Sequence, residues 1–150
     1  MAKVNKSALV PYSAKTMFDL VNDVIAYPEF IPGCVATRIN SVDETHMQAS
    51  LDISKAGIKH TFTTNNTLSA PNSIAMTLAD GPFKSLSGGW VFTELDEHAC
   101  KIELNLEFEF TSRIIEMAFG KIFHSLANSM VDAFIQRAKQ ATIIWVQINK

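Results

Sequence analysis

Cysteine is scarce in this sequence, and the side chains that usually hold metals are dispersed. Two of the 150 residues are cysteines, Cys34 and Cys100, and they do not form a CxxC pair. Because no export signal accompanies them, we expect reduced and mostly buried thiols rather than a disulfide. Four histidines are present, but none stands at HxH or HxxxH spacing and no cluster of carboxylates or thiols accompanies them. The sequence therefore predicts no metal site.

An excess of one charge is also missing. The formal net charge is −2, from 13 basic and 15 acidic residues, so composition does not support general binding to DNA or other nucleic acids. No apolar run is long enough to span a bilayer. The segment from Met1 to Lys6 lacks the apolar core of a secretory signal. We therefore expect a cytoplasmic protein without a transmembrane segment.

Familiar catalytic motifs are absent as well. The sequence has no nucleophile elbow, P-loop or dinucleotide fingerprint. Glu103, Glu107 and Glu109 could form a carboxylate pair for acid–base chemistry. However, apolar residues alternate with them along the chain, which predicts that these glutamates lie on the solvated face of a strand. We predict no catalytic residue and no enzymatic activity.

The clearest positive signal is a long amphipathic stretch from Ser112 to about Gln140. Apolar residues recur there at helical spacing, and no proline interrupts the run. Thr111 and Ser112 can supply an N-cap. The apolar stripe comprises Phe119, Phe123, Leu126, Met130, Phe134 and Ala138, widened by Ile115, Ile122, Ala127 and Val131. A helix with so wide an apolar face needs a large apolar surface on which to lie.

Upstream of this stretch the hydrophobic period changes to two. The alternation is clean in 47–53 and in 102–110, where every second residue is apolar. Such alternation is typical of antiparallel strands with one buried and one solvated face. Turn-forming residues separate the runs and predict about seven strands, the first of them over 4–10.

The segment between the first two strands carries helix signals followed by helix breakers. Ser13 can cap a short helix, and the pair Asn22-Asp23 can cap a further turn that reaches Ala26. Two prolines and a glycine within 27–34 predict that no regular element forms there.

These patterns predict a single α+β domain over residues 1–150. A strongly curved antiparallel sheet of about seven strands wraps around the long C-terminal helix, with two short helices after the first strand. A curved sheet and one helix seldom fill the space between them, so we expect an elongated apolar cavity that takes an apolar ligand. Its predicted lining is Phe30, Phe83, Leu86, Trp90, Phe119, Phe123 and Met130.

The paired glycines before Trp90 admit two compatible interpretations. Gly88 and Gly89 stand inside a predicted strand and indicate a bulge or a sharp bend. In one interpretation Trp90 packs a barrel-like corner. In the other, Phe83, Leu86 and Trp90 form the mouth of the cavity.

Several short motifs resemble one protein family. They are LVPYS at 9–13, YPEF at 27–30 with PGC at 32–34, KAGI at 55–58, DGPFK at 80–84, GGWVF at 88–92 and NSMVDAF at 128–134. The chain resembles the coenzyme-Q-binding, START-like polyketide cyclase/dehydrase family, and within it a bacterial branch of ribosome association toxins. The resemblance covers residues from about 3 to 139. The tail 141–150 departs from the usual ending, and its conformation is left open.

The resemblance implies a helix-grip fold and two different roles. In the mitochondrial branch the domain binds ubiquinone, without a covalent cofactor, and supports respiration. In the bacterial branch the toxin of a toxin–antitoxin pair binds the large ribosomal subunit, blocks subunit association and inhibits translation. More distant relatives act on polyketide chains as cyclases.

Three hypotheses follow. The first is non-enzymatic binding of a hydrophobic quinone- or lipid-like ligand, such as ubiquinone, in the cavity. The second is binding to the large ribosomal subunit through Arg113, Lys121 and Arg137 on the outward side of the long helix. The third, which the residues support least, is polyketide cyclase or dehydratase activity.

Overall fold

The computed structural model describes the backbone of residues 1–148 and the side chains of residues 1–141. Its strands are β1 (Ala2–Val10), β2 (Cys34–Val42), β3 (His46–Lys55), β4 (Ile58–Ser69), β5 (Ser73–Asp80), β6 (Phe83–Asp96) and β7 (Ala99–Phe110). Its helices are α1 (Ala14–Asn22), a 3₁₀ helix (Val24–Glu29) and α2 (Arg113–Ile148).

The seven strands form one antiparallel sheet in the order β1-β7-β6-β5-β4-β3-β2. Consecutive strands from β2 to β7 are neighbours, and β1 pairs with the free side of β7, with Ala2 opposite Phe108 and Val10 opposite Cys100. Strands β1 and β2 are therefore the two edges, and α1 and the 3₁₀ helix carry the chain from one edge to the other. The predicted α+β fold, with seven strands and two short helices after the first strand, is confirmed.

Helix α2 lies with its apolar stripe against the sheet. It starts where the sequence predicts, because the hydroxyl oxygen of Ser112 accepts a hydrogen bond from the backbone N–H of Ile115 at 3.2 Å. Phe119 and Phe134 in the stripe are completely buried. The helix runs to Ile148, well beyond the predicted end near Gln140. The sequence analysis made no prediction for the conformation of the tail 141–150. Its backbone continues the helix as far as residue 148, and residues 149–150 lie outside the described residues.

The segment before β2 departs in part from the prediction. Ser13 caps α1 as expected, since its side chain accepts a hydrogen bond from the backbone N–H of Thr16 at 3.1 Å. The 3₁₀ helix, however, continues through Pro28 to Glu29, so the prediction that 27–34 holds no regular element was wrong. The fixed φ of proline is close to that of a 3₁₀ helix, and a short helix of this kind tolerates the missing N–H.

Of the bulge or sharp bend predicted at the paired glycines, the bulge does not form. Gly88 and Gly89 pair in register with both neighbouring strands, and the irregularities of β6 lie instead between Phe83 and Ser85 and near its far end. The glycines are needed for another reason. A Cβ on Gly88 would lie 2.0 Å from a carbonyl oxygen of β7, and one on Gly89 would lie 2.1 Å from a carbonyl oxygen of β5. Both residues also have positive φ, +135° and +150°, which L side chains rarely adopt.

Candidate functional site

An apolar cavity lies between the concave face of the sheet and helix α2. Its volume is about 60 Å³. It is lined by Val24, Tyr27, Ala49, Leu51, Phe62, Thr64, Asn66, Met76, Leu86, Trp90, Leu104, Leu106, Phe123, Leu126, Ala127 and Met130. Pockets that bury a small organic ligand have about 300–1,000 Å³, so a ligand requires the cavity to widen. Met76 and Met130 are half-buried and unbranched, and they are the lining side chains best able to move aside.

The structure divides the seven residues of the predicted lining into two groups. Leu86, Trp90, Phe123 and Met130 border the cavity. Phe30, Phe83 and Phe119 do not border it. That any of the seven contacts a ligand stays a prediction.

Phe83 and Phe119 belong to a solid aromatic cluster beside the cavity. The ring of Phe83 lies 4.8 Å from that of Phe123 and 5.1 Å from that of Phe110, measured between centroids. Phe119 lies 6.0 Å from Phe123. The cluster fills the space under the first turns of α2, close to the connection from β7. A gap opens only farther along the helix, which is why these two phenylalanines are core residues.

Phe30 lies outside the cavity, on the surface formed by the 3₁₀ helix and α2. Its half-buried ring packs edge-on against Tyr27 and Phe134, with centroid distances of 6.3 and 5.3 Å. The guanidinium of Arg137 stands 4.9 Å above the same ring and pairs with Glu29 at 3.0 Å. Arg137, a predicted ribosome contact, is thus engaged in an intramolecular interaction.

Two polar residues of the cavity wall escaped the sequence reasoning. Thr64 and Asn66 on β4 are 5% and 7% exposed and face the cavity between the apolar residues Phe62 and Leu68. Polar side chains at inward positions of an alternating strand were the signal that could have revealed them. The hydroxyl of Thr64 donates a hydrogen bond to the amide oxygen of Asn66 at 2.8 Å.

Burial raises the pKa of three titratable side chains, of which Tyr27 lines the cavity. The hydroxyl of Tyr27 donates a hydrogen bond to the carbonyl oxygen of Val21, and burial raises the pKa of Tyr27. Burial, reinforced by the charge of Asp52, raises the pKa of the Cys34 thiol to about 11, and burial also raises the pKa of Cys100. Both cysteines therefore stay protonated at neutral pH.

The three glutamates of β7 lie away from the cavity. The inward residues of this strand are Leu104, Leu106 and Phe108, so the glutamates occupy the opposite face. Glu103 pairs with Lys101 and Glu107 pairs with Lys3, each at 3.3 Å. Across the described residues, no group of three or more potential metal ligands comes together, and no helix is both long and apolar enough to cross a membrane.

A second feature is a concentration of basic side chains at one end of the sheet, which we call the basic end. The β3–β4 and β5–β6 turns and the β7–α2 connection meet here, since Ile58 pairs with Lys55 and Phe83 pairs with Phe110. The exposed basic side chains of the basic end are Lys55, Lys59, Lys84, Arg113 and Lys121. Within residues 1–141 none of these five forms an ion pair.

The opposite end of the sheet has the opposite charge. Its β2–β3 and β6–β7 turns carry Asp43, Glu44, Asp96 and Glu97. The acidic residues at the basic end, Asp80, Glu109 and Glu116, offset only part of its positive charge. The net charge is only −2, yet positive and negative side chains are concentrated at opposite ends of the sheet.

Two exposed apolar side chains stand among these basic residues. Ile114 and Met117, in the first turns of α2, are 77% and 82% exposed. They lie three residues apart on the helix, next to Arg113 and Lys121. An apolar centre with a charged rim is typical of a protein-interaction surface.

A family model matches most of the chain. It is described as polyketide cyclase/dehydrase and lipid transport, and it matches residues 10–135. Among curated relatives, the chain is 61% identical over 140 residues to the ribosome association toxin RatA of Vibrio cholerae, covering 93% of this chain and 97% of that protein. It is 27% identical to the mitochondrial coenzyme Q-binding protein coq10 of Schizosaccharomyces pombe, covering 89% and 84%.

Solved structures share the architecture at low sequence identity. A protein of Thermus thermophilus superposes with a TM-score of 0.79 at 16% identity, covering 93% of this chain and 99% of that one. The Zhui aromatase/cyclase of a Streptomyces species superposes with a TM-score of 0.78 at 18% identity, covering 94% and 95%. Identities this low establish the fold and carry no information on activity.

Proposed function

Because this chain belongs to the polyketide cyclase/dehydrase and lipid transport family, and within it to the RatA branch, we propose that it binds the large ribosomal subunit and inhibits translation. The observation that carries this proposal is the 61% identity to a ribosome association toxin over nearly the full length of both chains. The ligand-binding hypothesis came first in the sequence analysis and becomes the second candidate here. The relative that is named as a coenzyme Q-binding protein is only 27% identical to this chain.

The basic end is the surface best suited to this partner. Ribosomal RNA presents a dense array of phosphates, which exposed lysine and arginine side chains neutralise with release of counterions. Among the described side chains, Arg113 and Lys121 have no acidic partner and are available for this. Ile114 and Met117 add an apolar contact that salt does not screen.

The third predicted contact, Arg137, is not part of this proposal. Its ion pair with Glu29 and its position over Phe30 tie α2 to the 3₁₀ helix. Charge reversal there would set two carboxylates against each other, so an effect on ribosome binding could arise from altered packing.

Cosedimentation with purified large subunits at about 50–200 mM salt tests the proposal. Charge reversal by Arg113→Glu should weaken binding several-fold and lower the dependence of log K on log salt by about 0.7–0.9. The matched control is Lys139→Glu, which makes the same charge change about 39 Å farther along the same helix. The control should bind like the unaltered protein.

The apolar contact needs a separate variant. Replacing Met117 by serine should weaken binding without changing the salt dependence, because no charge is removed. Absence of cosedimentation, binding that does not respond to salt, or equal losses for Arg113→Glu and Lys139→Glu would each contradict the proposal.

A second function is favoured by the cavity itself. We propose that it takes a hydrophobic quinone- or lipid-like ligand, with ubiquinone as the first compound to test. Support comes from its apolar lining, from the lipid transport description of the family and from the similarity to coq10. Affinity would come from burial of apolar surface, at about 25 cal/mol per Å².

Two measurements test ligand binding. Mass spectrometry of small molecules released from protein purified from its host should identify a quinone or lipid. Added ubiquinone at about 100 times its Kd should raise the free energy of unfolding by about 2.7 kcal/mol. It should also quench Trp90 fluorescence, measured in a Trp145→Phe background so that one tryptophan reports. No released molecule, no stabilisation and no quenching together would refute this function.

Cyclase or dehydratase activity is not proposed. The fold is shared with an aromatase/cyclase, yet Glu103, Glu107 and Glu109 lie on the face of β7 turned away from the cavity. A carboxylate on that face cannot reach a substrate held between the sheet and α2.

A further inference from the structure

The buried polar residues of the sheet fall into two sets with different environments. Ser50 and Asp52 lie on the outer face of β3, where neighbouring strands supply their partners. Ser50 hydrogen-bonds to Thr63 at 2.6 Å, and Asp52 accepts hydrogen bonds from Arg38 and from Thr61. These outer residues are satisfied within the fold.

Thr64 and Asn66 face the apolar cavity instead, and they are satisfied only in part. Thr64 donates its hydroxyl proton to the amide oxygen of Asn66. Within the part of the chain that the structure describes, the other end of this amide, the Nδ2 group, has no hydrogen-bond acceptor. The cavity wall therefore contains an unused hydrogen-bond donor among mostly apolar side chains.

The Thr64 hydroxyl occupies one atom of the Asn66 amide. It donates to Oδ1, so Nδ2 is the atom of this amide that is left without a partner, on a residue that lines the cavity. Across the cavity stand apolar side chains of the sheet and α2, among them Leu86, Phe123 and Met130. One free donor in a mostly apolar wall favours a ligand with an acceptor oxygen at one end and an apolar body at the other.

We infer that Asn66, held by Thr64, is a polar subsite of the cavity that binds a carbonyl oxygen of an otherwise apolar ligand. The inference rests on the proposed ligand-binding function and narrows its chemistry to ketones, quinones and esters. The carbonyl oxygen accepts from Nδ2 of Asn66, and the hydrocarbon part lies toward α2. Plain hydrocarbons leave the donor unpaired and bind less well than their size would allow.

Two probes of nearly equal shape separate this inference from the function on which it rests. Acetophenone and ethylbenzene differ by a carbonyl oxygen and are small enough for a modestly widened cavity. Dissociation constants for both are measured by NMR titration. In the unaltered protein, acetophenone should shift the side-chain amide resonance of Asn66, and ethylbenzene should leave it in place.

The variant Asn66→Leu removes the donor and keeps the size of the side chain. The ratio of the ethylbenzene Kd to the acetophenone Kd should fall by about 2- to 12-fold, which corresponds to one neutral hydrogen bond. The matched control is Asn65→Leu, one residue away on the same strand. Asn65 is exposed on the outer face, where it accepts a hydrogen bond from Gln48 at 2.9 Å. The control should leave the ratio unchanged.

The outcomes are distinguishable. Suppose that both probes bind, but acetophenone does not shift the Asn66 amide resonance and Asn66→Leu leaves the ratio of the two Kd values unchanged. The polar subsite is then wrong, while ligand binding stands. If neither probe binds the unaltered protein, the polar subsite fails, and the ligand-binding function is decided separately by the mass spectrometry and ubiquinone measurements. Should Asn66→Leu fail to fold, the amide resonance of the unaltered protein decides the question without a variant.

Discussion

Truncation of Phe134 to alanine should destabilise the fold strongly, because two other segments of the chain pack on its ring. The side chain is completely buried. Its ring lies edge-on to Tyr27 of the 3₁₀ helix at 5.4 Å, to Phe30 at 5.3 Å and to Trp90 of β6 at 5.3 Å. Phe134 thus fastens α2 both to the sheet and to the segment that closes one side of the cavity.

The magnitude follows from burial. Removing a fully buried phenylalanine side chain costs about 3–5 kcal/mol, since the surrounding residues close the space only in part. That figure already contains the edge-on ring contacts, each of about 0.5–1.5 kcal/mol. A domain of this size is stable by about 5–15 kcal/mol in total. The variant should fold, with a stability that is visibly reduced.

Urea unfolding followed by circular dichroism measures the effect. With a slope of about 2 kcal/mol per molar urea, the midpoint should fall by about 1.5–2.5 M. The control is Phe30→Ala, which removes a half-buried ring from the same cluster and should cost about 1–2 kcal/mol. If Phe134→Ala loses no more stability than Phe30→Ala, Phe134 is not the residue that fastens α2.

Three further predictions concern backbone, charge and thiol. Gly88→Ala should lower the melting temperature far more than Gly57→Ala, because a Cβ at position 88 would lie 2.0 Å from a backbone oxygen. A Cβ at position 57 meets nothing within 4 Å, so Gly57→Ala costs only about 1–2 kcal/mol for placing alanine at a positive φ. Asp52→Asn should lose stability at pH 7 and match the unaltered protein at low pH in urea titrations. Cys34, with a pKa of about 11, should react with iodoacetamide at pH 8 far more slowly in folded than in urea-unfolded protein.

The sign of the Asp52 effect follows from its partners. The hydrogen bond from Arg38, and then that from Thr61, hold the pKa of Asp52 below its usual value. A carboxyl whose pKa is depressed by folding stabilises the protein above its unfolded pKa of about 3.9, and the contribution is lost as the pH falls through the folded pKa. A difference in stability between Asp52→Asn and the unaltered protein that persists at low pH would contradict the ion-pair explanation. For Cys34, fast alkylation of the folded protein would contradict the raised pKa and burial of the thiol.

Local signals in the sequence were sufficient for most of the fold. The alternation in 102–110 identifies β7 and its inward residues, and the serines at 13 and 112 locate the starts of both α-helices. Such signals depend on neighbours within a few residues, so they survive into the folded state. The bulge expected at Gly88 failed because a glycine pair in a strand can equally permit close approach of a neighbouring strand.

The candidate site was less accessible to sequence reasoning. Periodicity predicted which side chains of the strands and of the long helix face inward, and Phe119 and Phe123 of the helix are buried as it predicted. It could not tell where the inward faces touch and where they leave a gap, because that depends on the curvature of the sheet and the distance of α2 from it. Asn66 was not predicted as a site residue for a related reason. Its amide can contact a ligand only because the cavity lies beside it, and the sequence did not locate the cavity.

The sequence by itself determined the elements, their inward faces and the family of this protein, because each depends on residue patterns that are read along the chain. Tertiary structure alone decided the 60 Å³ cavity, the pairing of Arg137 with Glu29 across 108 positions and the gathering of basic residues from three connections at one end of the sheet. These features arise from distances between residues remote in the chain. Such distances are set when the whole sheet closes around α2.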